Sequence, residues 1–181
     1  MRRRPGPSSV WALAALAWLG LTLSAAGADT APPLTTETLG RFLRELGLQP
    51  STIESASGGT WGYGITAKRG GRTFRIEVQV SGDEQTVWVI APLRMVPNPQ
   101  KLPAARLLRL LQENDSIGPA AFAYGDGQFY LNLPLPNHGL TAARFRSDLE
   151  ALFETIQRTE PLWNPAQWGS TPTLSGGAAK R

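Results

Sequence analysis

The single histidine of the chain, His138, lies in the turn-forming run Pro136-Asn137-His138-Gly139. A lone imidazole can act as a general base, but only beside a group it can deprotonate. The chain has no G-x-S-x-G run and no cysteine, so no such nucleophile is marked. One histidine also falls short of a multi-histidine metal site. Glu113 and Asp115, with Asp126 downstream, are the candidates for paired-carboxylate chemistry. Helix positions two apart do not share a face, and Asp126 is explained by the turn it occupies. No D-x-D-x-D-G spacing for calcium occurs. Gly58-Gly59, Gly62, Gly64 and Gly70-Gly71 fit neither phosphate-binding glycine pattern and read as turns and close backbone packing. These residues point to no catalytic, cofactor or metal site, and the expectation is a protein that is not an enzyme.

The aromatic residues are more informative. Trp61, Tyr63, Trp88 and Ile90 fall on predicted strands, and aromatic side chains are enriched where proteins meet. Trp88 alternates with Val87 and Val89, so strand 86–93 carries apolar residues on both faces. One face must meet the helices. The other is covered by a partner, by a second copy of the chain, or by the chain's own end through Trp163 or Trp168.

The elements that would position these residues follow from periodicity. Leu39, Phe42, Leu43 and Leu46 repeat at helical spacing over 36–46, with Thr35 or Thr36 to cap the start and Gly47 to end it. Residues 61–69 and 72–80 read as a hairpin turning at Gly70-Gly71. In the second of these strands Phe74, Ile76, Val78 and Val80 alternate strictly with polar residues. A third strand, 86–93, completes a meander. Pro103 suits the first turn of a helix over 103–114. Two short strands, 120–124 and 128–133, follow around Gly125-Asp126-Gly127, with Pro134 and Pro136 expected to end the second. Phe145, Leu149, Leu152, Phe153 and Ile156 predict a last helix over 141–159, stopped by Pro161. The expected fold is α+β: one antiparallel five-stranded sheet with three helices, in the order α-βββ-α-ββ-α.

The ends of the chain have a different character. Arg2, Arg3 and Arg4 precede an apolar run, Val10 to Leu23, and small residues at Ala26 and Ala28. This is the tripartite secretory signal pattern, and the run is shorter than the ~20 residues that span a bilayer. The expected organisation is a signal peptide over 1–28 cut before Asp29, a linker over 29–34, a domain over 35–160 and a disordered tail over 161–181. The destination is periplasmic or secreted, with no membrane span after removal of the signal. The sequence pI of about 10.0 does not survive that step. The 18 basic residues fall by three arginines to 15, against 14 acidic, a net charge near +1. That balance carries no footprint for a nucleic-acid partner.

One stretch resembles a known family. Leu107-Leu-Arg-Leu-Leu-Gln-Glu-Asn-Asp115 leads into Gly118-Pro-Ala-Ala-Phe-Ala-Tyr-Gly-Asp-Gly-Gln-Phe-Tyr-Leu-Asn-Leu-Pro-Leu-Pro136. A leucine-rich helix ending near an asparagine, followed by an x-F-x-x-D-G-x-L-Y-L hairpin, is similar to the type III secretion chaperone-like fold, with its Tir-chaperone and YbjN-type families. The resemblance spans roughly residues 36–159. It implies a non-enzymatic platform that binds a polypeptide or pairs as a homodimer, and it transfers no catalytic residue. The chaperones of that fold are cytoplasmic, whereas this chain carries an export signal. A small apolar-ligand carrier, with a cavity between helices and sheet, is the alternative.

Overall fold

The computed structural model describes residues 32–98, 100 and 102–168. The expected signal peptide lies outside the described residues.

Helix α1 (Thr36–Glu45) starts at a capping box: the Thr35 hydroxyl accepts from the Thr38 N–H, and the Thr38 hydroxyl accepts from the Thr35 N–H at 2.8 Å. Its Leu39 and Leu43 are wholly buried. Four strands follow, β1 (Ser51–Glu54), β2 (Thr60–Arg69), β3 (Arg72–Val80) and β4 (Thr86–Met95). Then come α2 (Ala104–Asn114), β5 (Ala121–Gly125), β6 (Gln128–Pro136) and α3 (Ala142–Trp163), with a short 3-10 turn at Pro165–Gln167. The order is α-ββββ-α-ββ-α. All neighbouring strands are antiparallel, in the sheet order β1-β2-β3-β4-β6-β5.

The sheet has six strands where five were expected. The extra one, β1, is a four-residue edge strand with a single apolar residue, Ile53, so no alternation announces it. Strand β6 also runs past its expected end at Leu133, through Pro134 and Pro136. Strand β5 stops opposite Asn132, so beyond that point β6 has one free edge, where a sheet tolerates proline. Helix α3 continues past Thr159 and Pro161 to Trp163, which is buried. The Trp163 indole donates to the Thr159 hydroxyl at 3.3 Å, which in turn donates to the Thr155 carbonyl at 2.6 Å. The guanidinium of Arg106 on α2 donates to the carbonyls of Pro161 and Trp168 at the end of this segment. Residues 161–168 are therefore ordered structure, not tail, and residues 169–181 lie outside the described residues.

Register sorts the sheet into two faces. Val78 pairs with Tyr63 and Val89, and Leu131 pairs with Ala91 and Phe122. Ile65, Ile76, Val87, Leu133, Leu135 and Phe129 join them on the face that the helices cover. Helix α1 packs on β2 and β3, α3 on β4 and β6, and α2 on β5 and α3. Gly40 brings α1 close to the sheet: a Cβ there would lie 2.6 Å from the Tyr63 ring. Phe42 and Phe145 meet edge to face with centroids 5.6 Å apart, joining α1 to α3.

A buried amide ties the loops at one end together. Asn137 is 2% exposed. Its Oδ1 accepts from the Leu34 N–H at 2.9 Å, and its Nδ2 donates to the carbonyls of Leu34 and Glu84, both at 2.8 Å. Its own N–H donates to the Gln85 carbonyl at 2.9 Å. The entry to α1, the β3–β4 turn and the end of β6 thus share one side chain.

Candidate functional site

The residues singled out for chemistry are dispersed. His138 is exposed in its turn. Glu113 is engaged by Arg158 of α3 at 2.6 Å. Asp115 caps the end of α2, exposed, and Asp126 occupies the β5–β6 turn with a φ of 49°, in the left-handed region. Among the described residues no group of three or more His, Asp or Glu could hold a metal ion.

The four aromatic and aliphatic candidates do not share one surface. Tyr63 lies on the helix-covered face, half-buried beneath Gly40. Trp61 is the extra residue of a β-bulge, between the pairs Gly62–Ile53 and Thr60–Glu54, and is 41% exposed. Trp88 and Ile90 face the other way, opposite Gln79 and Glu77 on β3 and Pro134 and Asn132 on β6. Pro92 and Tyr130 continue that face. No helix of the described residues packs there. Trp163 and Trp168, expected as a possible cover, instead pack with the core on the helix side. Asn132 has a buried Oδ1 without a hydrogen-bond partner among the described residues, beside Ile90.

A second surface lies at α2. This helix turns Leu110 into the core and leaves Leu108 and Leu111 57% and 63% exposed. Met95 and Tyr124 are further exposed apolar residues. The Tyr124 hydroxyl donates to the Val96 carbonyl at 2.6 Å, and its ring leans on Phe129 at 5.1 Å. Between α2 and the β5–β6 hairpin lies an apolar hollow of about 200 Å³, lined by Leu107, Leu111, Phe122, Tyr124 and Phe129 among others. Its geometry is set by Asn114, whose side chain accepts from the Phe122 N–H at 2.7 Å and donates to the Phe122 carbonyl at 3.3 Å. The amide thereby bonds the outer edge of β5 as a neighbouring strand would. The sequence offers helix 103–114, beside the sheet, as a surface for self-pairing, although its leucines are not among the four candidate surface residues. The signal was present: Leu107, Leu108, Leu110 and Leu111 are more apolar surface than one stripe can bury.

No protein-family model matches the chain, and no curated protein matches it. Solved structures do. A chain of the ExsC–ExsE complex is similar over 72% of this chain and 94% of its own length, with 15% identity and a TM-score of 0.50. A chain of the heterodimeric ExoU–SpcU complex of the Pseudomonas aeruginosa type III secretion system is similar over 70% and 98%, with 20% identity and a TM-score of 0.49. A chain of the HopA1–SchA chaperone–effector complex is similar over 67% and 89%, with 14% identity and a TM-score of 0.45. The fold is the type III secretion chaperone-like fold, as the helix-to-hairpin stretch implied.

Proposed function

We propose that this chain is an exported, non-enzymatic protein-binding module that pairs with a second copy of itself through the α2 surface. The observation that carries the reading is the apolar patch of Leu108 and Leu111 above the α2–β5 hollow. Large apolar side chains this exposed, grouped over an apolar depression, mark interaction sites. A chain of the same fold occurs in the ExsC–ExsE complex, which agrees with a binding role. The leader pattern of residues 1–28 supports a periplasmic or secreted destination. The carrier reading also draws on the hollow. At about 200 Å³ it falls below the roughly 300 Å³ at which ligand pockets begin, so it suits an inserted side chain better than a free ligand. A larger cavity of about 390 Å³ between the sheet and α3 is lined by Arg72, Arg75, Arg94 and Glu160 as well as apolar groups, which does not suit a purely apolar ligand.

Light scattering on the chain recovered after export tests both parts. The expected result is twice the monomer mass, with Asp29 as the first residue by mass spectrometry. Leu108→Asp combined with Leu111→Asp gives a folded monomer, because both side chains already face solvent in the single chain. A native chain that stays monomeric at every concentration sinks the self-association.

A further inference from the structure

The ladder between β3 and β4 stops halfway. Its pairs are Glu77–Ile90, Val78–Val89, Gln79–Trp88 and Val80–Val87. Yet β3 begins at Arg72 and β4 continues to Met95. Each strand is supported on its other side: β2 pairs with β3 back to Arg72, and β6 pairs with β4 through Pro92 and again at Met95. Strands offer hydrogen-bonding groups along both edges, so residues 72–76 and 91–95 turn edges towards each other without pairing. The cause is legible in β4. Pro92 has no N–H to give, and a bulge between Pro92 and Met95 twists the strand away.

The gap holds a cavity of about 390 Å³, floored by α3. Its inner wall is apolar, formed by Phe74, Leu93, Ile156 and Trp163. Its outer rim carries Arg72, Arg75 and Arg94 against one carboxylate, Glu160. Arg72 already holds Glu160. Arg75 reaches only Glu77, at 3.9 Å, with its side chain 72% exposed. Arg94 has no ion pair among the described residues.

We propose that this gap accepts an extended polypeptide segment of a partner protein, alternating apolar and acidic residues, as an added strand between β3 and β4. The inference rests on the reading of the chain as a protein-binding module, and assigns a site and a partner chemistry that the α2 surface does not provide. Two facing strand edges fit a main chain, which would bond both at once. Alternation follows from the walls: every second side chain meets Phe74, Leu93 and Ile156, and those between meet Arg75 and Arg94. The chain's own end is the wrong occupant. Residues 169–181 contain Lys180 and Arg181 and no carboxylate side chain, so their charge repels the rim.

The test is fluorescence anisotropy of the full chain with a labelled octapeptide of alternating valine and glutamate. An alternating valine–lysine peptide serves as control, and hydrogen exchange is measured with and without each. The valine–glutamate peptide binds, the lysine peptide does not, and amides of 72–76 and 91–95 gain protection. Arg94→Glu, at an exposed side chain without an ion pair among the described residues, weakens binding by roughly tenfold or more. Unchanged affinity in Arg94→Glu, or protection confined to α2, overturns the proposal. So does displacement of the peptide by free glutamate at equal concentration, which would mark a site for small carboxylates. If the peptide fails to bind while the chain still dimerises, the gap inference falls and the module reading stands. If neither occurs, both fall.

Discussion

The two ends of the β3–β4 pair are built in opposite ways. At the turn end the ladder is continuous and Asn137 is buried with its side-chain amide bonded on both sides. At the other end the strands part, and the charged groups around the gap are exposed arginines, of which only Arg72 holds the carboxylate Glu160. A buried, satisfied polar group fixes one arrangement, because any other leaves donors and acceptors unpaired in a dry place. Exposed ion pairs fix little, because water replaces them at small cost. The sheet is therefore clamped at one end and unpaired at the other.

Removing the clamp produces the largest effect. Asn137→Ala leaves the Leu34 N–H and the Leu34 and Glu84 carbonyls without their partner. A loss of about 3 kcal/mol is expected, measured as a lower midpoint in urea with an unchanged slope. Asn137→Asp fails to rescue it, since a carboxylate cannot donate to two carbonyls. An intermediate case sharpens the contrast. Asn114 makes two bonds to Phe122 at the sheet edge, in a part-buried setting. Asn114→Ala costs about 1–2 kcal/mol in the same assay, and raises hydrogen exchange in β5 before it does so in β3. Equal losses in the two variants would mean that burial does not set the difference.

The same contrast explains how much the sequence disclosed. Elements with a buried stripe were legible: Leu39 and Leu43 on α1, Ile76 and Val78 on β3, and Phe145 to Ile156 on α3 all obey their periods. What hid was held by something other than a stripe. Strand β1 has too little apolar content to register. Strand β6 outlasts Pro134 and Pro136 because β5 has already ended there. Helix α3 outlasts Pro161 because Trp163 is buried two residues beyond the proline and Arg106 bonds the segment's carbonyls. Proline's local cost is real, but long-range contacts outweigh it. The surfaces were harder still. Trp88 and Tyr63 read alike along the chain, and only register puts them on opposite faces. Asn137 and Asn114 looked like turn and cap residues, since the groups they bond lie far away or in the next strand. The gap between β3 and β4 depends on a pairing that is not made, and no residue pattern records that.

The smallest effect belongs to Glu160, the carboxylate at the open end. Burial works to raise its pKa, but hydrogen bonds from Arg72 and Asn164, the Arg72 charge and Gln167 outweigh it and hold the carboxyl below its ordinary value. A group whose folded pKa is depressed contributes stability above its unfolded pKa, near 4.5, and loses it as pH falls through the folded value. Arg72 keeps half its side chain in solvent, so the contribution is discounted to roughly 0.5–1 kcal/mol. Glu160→Gln is thus less stable than the native chain at pH 7, and the gap closes in strong acid, where the native Glu160 is protonated. Urea midpoints for the two proteins, followed from pH 7 into strong acid, measure this. A difference that did not shrink as the pH fell would show that Glu160 acts by packing, and the open end would then be more tightly built than its exposed arginines indicate.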